Sequence, residues 1–384
     1  MQFEFATATR ILFGEGTIEE AGKGAAKLGK RALIVTGSAP ERSKPVTEVL
    51  NEQGVEHCLF CVEGEPTVSV IEEGRCYASQ ERCDLVIGIG GGSALDAGKA
   101  IAILVANPGD IYEYLEVIGR SQPFKNPSIP FIAIPTTAGT GTEVTRNAVL
   151  GSKEHRVKIS MRSPSMLPQL AIIDPQLTYN LPAQITAFSG MDALSQLIEP
   201  FVSIKANPLT DAVCREGIKR VTRSLERAYL NGTDISARID MSLASLMGGL
   251  ALANAKLGAV HGFAGPMGGM FDVPHGAICA RLLGPVISAN VKALQERQPE
   301  SEALKRYSEL TVILTGNTDA KPIDSVDWID RLTERLNIPR LGEWGIVENE
   351  FGDIVNKAAV ASSMGGNPIK LTNDEMRQIL KMAI

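Results

Sequence analysis

Residues 84–100 read DLVIGIGGGSALDAGKA and combine an apolar run, a glycine triplet and a helical pattern. The run DLVIGIG is almost continuously apolar, which is typical of a parallel strand that is buried on both faces. The glycines that follow, Gly90, Gly91 and Gly92, allow the backbone to turn sharply and to approach a ligand closely. A strand, a turn and a helix in this order predict one unit of an α/β fold.

Further strand patterns lie on both sides of this stretch. RALIVTG at residues 31–37 precedes it and IPFIAIP at residues 129–135 follows it, with helical patterns between strands. This alternation predicts a parallel sheet with helices on both sides. From residue 181 onward, long helical patterns dominate. The sequence therefore predicts an α/β dinucleotide-binding domain over residues 1–180 and an all-helical catalytic domain over residues 181–384.

Composition narrows the class of protein. The 384 residues carry a formal net charge of -6 with both signs interspersed, and no basic stripe indicates a nucleic-acid partner. We expect no membrane span and no secretory signal, because apolar runs are short and the first residues lack a basic segment followed by an apolar one. The six cysteines are scattered, as in reduced cytosolic proteins. These features predict a cytoplasmic protein.

Two loops at the ends of predicted strands are suited to binding a polar ligand. After the glycine triplet, Ser93 is expected to cap the next helix, with Asp96 in its first turn, so that the free N–H groups face a pyrophosphate. The loop PTTAGTGTEVTRNAV at residues 135–149 is rich in hydroxyl groups. Parallel sheets bind ligands at the carboxyl ends of their strands. The alternatives are a plain strand-to-helix turn and a flexible surface loop, since the GxGxxG fingerprint is absent.

A candidate metal site lies in the second half of the chain. Asp192 and Gln196 are four residues apart in a helical pattern, GMDALSQLIEP, so their side chains leave the same face. His261 and His275, two of only four histidines, lie in VHGFAGPMGGMFDVPHG. A carboxylate, an amide oxygen and two imidazoles are a plausible ligand set for a divalent metal. The alternative is that the histidines only satisfy buried polar contacts.

The chain resembles the iron-containing (group III) alcohol dehydrogenase family from end to end. Six motifs carry the resemblance: LFGEG at 12–16, GIGGGSALDAGKA at 88–100, IPTTAGTGTEVT at 134–145, AIIDPQLTYNLPAQITAFSGMDALSQLIEP at 171–200, VHGFAGPMGGMFDVPHGAICA at 260–280 and SSMGGNPIKLT at 362–372. The resemblance implies a dehydroquinate synthase-like architecture. It also implies an NAD(P)-dependent enzyme that interconverts an alcohol and an aldehyde or ketone by hydride transfer at a site with a divalent metal, as a homodimer or larger homo-oligomer.

The resemblance also assigns residues to the cofactor. Gly90, Gly91, Gly92 and Ser93 would hold the pyrophosphate, with Asp96 near the nicotinamide. The residues that would line the cofactor further along are Thr136, Thr137 and Thr140. Lys158, in the strand-like VKIS, is a weaker candidate, because a lone lysine is more often solvated.

At the metal site the chain departs from the family pattern. Members usually bind one divalent metal through one Asp and three His; the matching positions here are Asp192, Gln196, His261 and His275. A further His that commonly follows four residues after the first metal His is replaced by Gly265, which would open space for a bulkier substrate. An amide oxygen is a weaker ligand than an imidazole, and Fe²⁺ or Zn²⁺ remains the simplest expectation, with Mn²⁺ as an alternative.

These departures leave three alternatives to a metal-dependent dehydrogenase. One is a metal-independent carbonyl reductase in which His261 or His275 donates the proton. Another is a catalytically inactive nucleotide-binding homologue. A third is a lyase of the dehydroquinate synthase type, although GMDALSQLIEP and PHG fit the dehydrogenases better.

The identity of the nicotinamide cofactor depends on the end of the second strand. Many NAD-dependent relatives carry an acidic residue there, which repels a 2′-phosphate. In this chain the position is Gly37, with Ser38 and Arg42 nearby. An arginine can pair with a phosphate, so we expect NADP(H), with NAD(H) as the alternative.

Overall fold

The strand predicted at residues 84–90 lies in the middle of a six-stranded parallel sheet in the computed structural model of the protein, which describes residues 2–152 and 154–384. The strands are β1 (Ile11–Phe13), β2 (Arg31–Thr36), β3 (Glu56–Cys61), β4 (Leu85–Gly90), β5 (Phe131–Pro135) and β8 (Leu170–Ile173). Their order is β1-β8-β5-β4-β2-β3, and each adjacent pair is parallel.

Four helices cover this sheet, namely α1 (Glu20–Leu28), α2 (Lys44–Glu52), α3 (Val68–Gln80) and α4 (Gly92–Ala106). Alternate residues of one strand enter two different cores. Ile34 and Ile87 pack with the core that contains α1 and α2, whereas Leu33 and Val86 pack with the core that contains α3 and α4. Because both faces are covered, β2 and β4 have to be apolar along their whole length, which explains the continuous runs in the sequence.

Two further strands lie outside the parallel sheet. β6 (Asn147–Ser152) and β7 (Val157–Arg162) form an antiparallel pair, in which Leu150 lies opposite Ile159. Together these elements belong to a unit made of Ala6–Thr137 and Gly141–Tyr179. The α/β part of the predicted fold class is confirmed.

The second unit contains Asn180–Ile384, the short segment Ala138–Thr140 and the chain up to Phe5. Its helices are α5 (Ala183–Val202), α6 (Pro208–Leu230), α7 (Ile235–Ala255), α8 (Ala259–Met270), α9 (His275–Arg297), α10 (Glu302–Thr315), α11 (Asp324–Arg335), α12 (Phe351–Ala359) and α13 (Asn373–Ala383). Helix α5 packs against α6, α7 and α9 and is buried along most of its length. The helical part of the prediction is also confirmed.

Helices α7 and α9 are long and apolar enough to cross a membrane by length and composition. The expectation that no segment reaches that length was therefore wrong. However, 61% of the apolar window of α7 and 78% of that of α9 are buried inside the unit. Such burial is typical of core helices, and both helices contribute to the main hydrophobic core of this unit.

Candidate functional site

One face of helix α5 carries three buried polar side chains. Asp192, Gln196 and Glu199 follow each other at spacings of four and three residues, so they lie along one stripe of the helix. Each is at most 4% exposed to solvent. Buried polar groups are costly unless they have partners, so this stripe has to be explained by what faces it.

Two neighbouring helices supply those partners. His261 lies in the first turn of α8, and His275 is the first residue of α9. The start of α9 lies close to the backbone of α5: a Cβ on Gly276 would be 2.1 Å from the carbonyl oxygen of Phe188. Only glycine permits this approach, which brings His275 next to Asp192.

The side chains form one cluster. His261 Nε2 lies 3.2 Å from Asp192 Oδ1, and His275 Nε2 lies 3.7 Å from the same oxygen. Cys279, one turn after His275, places Sγ 3.6 Å from His275 Nε2 and 3.9 Å from His261 Nε2. Ligand atoms of these four residues all lie within 4.8 Å of one another. The structure therefore brings together Asp192, His261 and His275, as the sequence predicted.

The other ring nitrogen of His261 is held by Glu199. Nδ1 lies 2.6 Å from Glu199 Oε2, while Glu199 Oε1 accepts a hydrogen bond from the Val260 amide, also at 2.6 Å. If Nδ1–H donates to the carboxylate, the lone pair of Nε2 points at Asp192. A carboxylate behind a histidine in this way fixes the ring and strengthens it as a metal ligand.

The charges in the cluster stabilise each other. Burial opposes ionisation of Asp192, but hydrogen bonding and positive charge from His261 and His275 lower its pKa. Burial likewise opposes the Cys279 thiolate, yet the two imidazoles lower the thiol pKa. Burial also opposes the imidazolium forms of both histidines. Cys279 and Glu199 nevertheless raise the pKa of His261 well above its usual range. Cys279 and Asp192 likewise raise the pKa of His275. The negative forms of Asp192 and Cys279 are thus stabilised by positive charge on the two imidazoles. A bound divalent cation would supply positive charge at the same place.

Gln196 provides the most direct test of whether a metal fits. Its Oε1 is buried, and among the residues that the structure describes none donates a hydrogen bond to it. An unsatisfied buried carbonyl is uncommon and is explained when an ion completes the site. Together with the carboxylate, the two imidazoles and the thiol, this free oxygen makes a donor set that fits a divalent metal.

Two features leave room beside the cluster. The side chain of His275 is 30% exposed, whereas those of Asp192 and His261 are below 10%. A Cβ on Gly265, also in α8, would meet nothing within 4 Å. Position 265 therefore faces open space, and its place beside the substrate stays a prediction.

In the α/β unit, the glycine triplet makes the turn from β4 into α4. Gly90 has φ 154°, and a Cβ there would lie 2.7 Å from Cβ of Ala94. The helix begins at Gly92 with Gly91 at its N-cap and no capping side chain. Since the first amides of a helix have no partner within it, this turn presents N–H groups at the end of the sheet.

Two details of this turn differ from the prediction. Ser93 is the second residue of α4 and does not cap it, because the glycines turn the chain early enough for the helix to start before the serine. Asp96 lies in the second turn, and its carboxylate accepts hydrogen bonds from the Thr142 hydroxyl and the Val149 amide. Asp96 therefore anchors the chain after β5.

Lys99 was not anticipated and shares this anchoring role. Its side chain is completely buried, and Nζ donates to the carbonyl and hydroxyl oxygens of Thr142 and Thr145 and to the carbonyl of Asn147. Asp96 lies 3.6 Å from the same ammonium group. One buried cation thus fixes residues 142–147, which explains how a loop rich in hydroxyls is held in one conformation.

The threonines predicted to line the cofactor fall into two groups. The amide of Thr136 donates to the Gly90 carbonyl at 2.9 Å, and a Cβ on Gly91 would lie 3.5 Å from the Thr137 side chain. Both therefore lie beside the glycine turn. Thr140 instead belongs to the segment Ala138–Thr140, which packs with the helical unit.

The remaining predicted cofactor residues lie in the α/β unit. Gly37 and Ser38 directly follow β2, the strand adjacent to β4, and a Cβ on Gly37 would meet nothing within 4 Å. Arg42 lies in the 3₁₀ helix Pro40–Ser43 and is exposed. Lys158, in β7, donates to Glu65 at 2.9 Å, so it is paired rather than freely solvated. The strand order changes direction between β2 and β4, where open α/β sheets bind nucleotides.

Comparison with known families shows which protein family the chain belongs to. Residues 8–175 match the family described as "Iron-containing alcohol dehydrogenase", and residues 186–384 match "Fe-containing alcohol dehydrogenase family, C-terminal". The chain belongs to the iron-containing alcohol dehydrogenase family. The resemblance found in the sequence is thereby confirmed, and the protein is an oxidoreductase of the alcohol dehydrogenase type.

Individual relatives of this iron-containing alcohol dehydrogenase cover nearly the whole chain. Alcohol dehydrogenase 4 of Schizosaccharomyces pombe is 37% identical over 379 residues, which span 97% of this chain and 87% of the relative. Among solved structures, an alcohol dehydrogenase from Oenococcus oeni is 33% identical with a TM-score of 0.92 over 100% of both chains. A sulfoacetaldehyde reductase from Bifidobacterium kashiwanohense, solved in complex with NAD⁺, is 27% identical with a TM-score of 0.87, and covers 100% of this chain and 99% of that one.

Sequence reasoning missed two residues of the candidate site, although a signal for each was present. Glu199 lies seven residues after Asp192 and Cys279 lies four residues after His275, spacings that place each pair on one helix face. Applying the helical spacing to both ligand pairs would have found them.

Proposed function

We propose that the protein is an NAD(P)-dependent alcohol dehydrogenase that interconverts an alcohol and an aldehyde or ketone at a divalent metal. Family membership supports the reaction type. The observation that carries the proposal is the buried cluster in which Asp192 Oδ1 lies 3.2 Å and 3.7 Å from the Nε2 atoms of His261 and His275. Buried ionisable groups are costly unless they are paired or coordinate a metal.

Asp192, His261 and His275 would hold the metal, with Gln196 beside them. When bound, the metal would act as a Lewis acid that polarises the substrate oxygen. Glu199 orients His261 through its Nδ1–H and so keeps Nε2 directed at the site. The partial exposure of His275 supports an approach of the substrate from that side. Fe²⁺ or Zn²⁺ fits imidazole ligands best, and Mn²⁺ is the alternative.

The cofactor is proposed to lie at the carboxyl end of the sheet. The amides at Gly91 and Gly92 and the start of α4, including Ser93, are suited to the pyrophosphate. The other candidate residues for cofactor binding are Asp96, Thr136, Thr137, Thr140 and Lys158. The open space at Gly37, with Ser38 and the exposed Arg42 nearby, supports NADP(H) over NAD(H).

A second candidate function is a metal-independent carbonyl reductase. It is favoured by the position of His275, whose side chain is 30% exposed while its Nε2 lies 3.7 Å from Asp192 Oδ1, a carboxylate oxygen that can stabilise the imidazolium form. An imidazolium can donate a proton to a carbonyl oxygen as it receives a hydride. The two candidates differ in whether the reaction requires the metal.

One experiment separates these functions. The protein is stripped with a chelator, its metal content is measured, and NADH or NADPH consumption is followed with a panel of aldehydes before and after Fe²⁺, Zn²⁺ or Mn²⁺ is added back. We expect activity only after metal addition and a higher kcat/KM with NADPH. Full activity in metal-free protein would support the second candidate, and a strong preference for NADH would contradict the role of Gly37. Cofactor binding without turnover of any substrate would indicate an inactive homologue.

We further propose a cytoplasmic homodimer or larger homo-oligomer. The scattered free cysteines and the buried apolar helices support a protein of the reducing, aqueous interior. Size-exclusion chromatography with light scattering tests the oligomeric state.

A further inference from the structure

Cys279 occupies a position that the proposed function does not yet use. It lies in α9, one helical turn after His275, and it is completely buried. The polar contacts of its Sγ are with the two imidazoles, at 3.6 Å from His275 Nε2 and 3.9 Å from His261 Nε2. A buried thiol that faces two candidate ligand nitrogens lies where a metal ion would contact it.

We propose that the thiolate of Cys279 is a metal ligand and replaces the imidazole that is missing at Gln196. The site would then hold its metal through one carboxylate oxygen, two imidazole nitrogens and one sulfur, all within 4.8 Å of one another. This inference rests on the metal site of the proposed function and specifies its fourth ligand.

Geometry and hydrogen bonding distinguish Cys279 from Gln196. Among the described residues, nothing donates a hydrogen bond to the buried Oε1 of Gln196. Cys279 instead faces both imidazoles, on the same face of α9 as His275.

The charge of the ligand set also favours Cys279 over Gln196. Asp192 and a Cys279 thiolate together carry two negative charges, which a divalent cation neutralises, whereas the Gln196 amide carries none. On binding, the S–H bond of Cys279 breaks, a bond between sulfur and the metal forms, and the proton leaves to solvent. The cost of burying the two negative groups is then offset by their attraction to the cation.

A sulfur ligand changes which metals the site prefers. Thiolates favour Zn²⁺, Fe²⁺ and Co²⁺, while Mn²⁺ and Mg²⁺ prefer oxygen. If Gln196 were the fourth ligand, the site would hold an oxygen in place of the sulfur and would discriminate less against Mn²⁺. The identity of the fourth ligand therefore determines metal selectivity, not only affinity.

Cobalt substitution tests the proposal directly in the full-length protein. Chelated protein is titrated with Co²⁺, and its absorption spectrum is recorded in the near ultraviolet and the visible. We expect ligand-field bands in the visible and, in addition, an intense near-ultraviolet band from thiolate-to-cobalt charge transfer. Cys279→Ser should abolish the near-ultraviolet band, whereas Cys214→Ser, at another fully buried cysteine of the same unit, should retain it. Gln196→Ala should also retain the band.

Metal affinity gives a second measurement. Cys279→Ser should weaken Zn²⁺ binding about 100-fold or more in a chelator competition, since removal of groups that only orient a ligand already costs about 10–100-fold. Its binding of Mn²⁺ should change much less, so the ratio of the two affinities falls. Equal losses for both metals would contradict a sulfur ligand.

The outcomes separate this inference from the function on which it rests. Stoichiometric Co²⁺ binding with ligand-field bands but no charge-transfer band in the unmodified protein would overturn the role of Cys279 and leave the metal site intact. Retention of the band in Cys279→Ser would also overturn it. Failure of Co²⁺ and Zn²⁺ to bind at all would overturn the metal site and this inference together. Because the first result comes from the unmodified protein, it does not depend on how the variants fold.

Discussion

At the scale of single residues, the imidazole of His261 lies between two buried carboxylates. Glu199 Oε2 lies 2.6 Å from Nδ1, and Asp192 Oδ1 lies 3.2 Å from Nε2. Glu199 also accepts the amide hydrogen of Val260, so its own position is fixed by the backbone of α8. The ring orientation is therefore set from behind, and Glu199 is a positioning residue for the proposed metal site.

The first prediction concerns Glu199→Gln. The amide of glutamine cannot accept from both Val260 N–H and His261 Nδ1–H, because one of its two ends is a donor. We expect Zn²⁺ affinity to fall about 10–100-fold. Chelator competition measures this affinity. The control is Asp240→Asn, which removes a buried carboxylate paired with Arg223 in the same unit. An equal effect of both substitutions would contradict a specific role of Glu199.

Glu143 is a second residue whose environment decides its ionisation. It is 1% exposed, and burial raises its pKa from 4.5 to about 7, against the opposing charge of Lys99. Between these two values the unfolded chain has lost the proton and the folded chain retains it. Since stability falls with pH wherever the folded state binds more protons, this group destabilises the protein progressively from about pH 4.5 to pH 7.

Glu143→Gln should therefore stabilise the protein at high pH. At pH 8 we expect its unfolding free energy to exceed that of the unmodified protein by about 2–3 kcal/mol, and at pH 4 the two should agree. Urea unfolding across this pH range provides the measurement. Glu48→Gln, on an exposed glutamate of α2, should leave the pH dependence unchanged. Parallel pH profiles for Glu143→Gln and the unmodified protein would show that the raised pKa does not contribute.

At the scale of elements, the connection between α7 and α8 is strained. Lys256 directly follows α7 and has φ 59° and ψ 160°, a region that residues other than glycine rarely occupy. Three residues later α8 begins, and His261 lies in its first turn. The strain lies next to the segment that positions a candidate ligand.

Lys256→Gly should relieve this strain. Such conformations cost about 1–3 kcal/mol, and the extra entropy of glycine in the unfolded chain offsets about 0.5–1 kcal/mol, so we expect a net stabilisation of about 1 kcal/mol. The midpoint of urea unfolding should rise accordingly. Asn337→Gly is the matched control, because Asn337 has φ 50° but asparagine tolerates positive φ. A loss of stability on Lys256→Gly would contradict the strain.

The elements also show how far the sequence determines the fold. Runs such as RALIVTG and DLVIGIG predict β2 and β4 because strands buried on both faces have to be apolar throughout. Helix α8, AVHGFAGPMGGM, is not recognisable from helix propensity, because its last eight residues include four glycines or prolines. Its apolar side chains are buried in the core of the helical unit, and this packing outweighs the low propensity. Helix α9 likewise contains Pro285 in its interior.

The candidate site also has a part that is predictable from sequence and a part that depends on packing. Asp192, His261 and His275 are predictable from residue chemistry, and the structure brings them together. Helical spacing places Glu199 and Cys279 on the same faces of α5 and α9 as Asp192 and His275, but their contacts with the two histidines depend on how α5, α8 and α9 pack. For the same reason, the anchoring contacts of Asp96 and Lys99 become evident only from the fold around residues 142–149.

At the scale of the whole molecule, two units with separate cores are proposed to carry different ligands. The helical unit has one large core around α5 and α9, and the α/β unit has one core on each face of its sheet. The candidate metal ligands lie in the helical unit, and the glycine turn lies in the α/β unit. A ligand that binds only the folded state stabilises the elements that hold it against local opening.

This assignment predicts two different patterns of amide hydrogen exchange. Zn²⁺ should slow exchange most in α5, the first turn of α8 and the start of α9, because Asp192, His261 and His275 lie there. NADPH should slow exchange most at the end of β2 and across the turn from β4 into α4. Mass spectrometry of digested, deuterated protein resolves these segments. In His261→Ala the effect of Zn²⁺ should disappear while that of NADPH persists; protection by Zn²⁺ that survives this substitution would place the metal elsewhere.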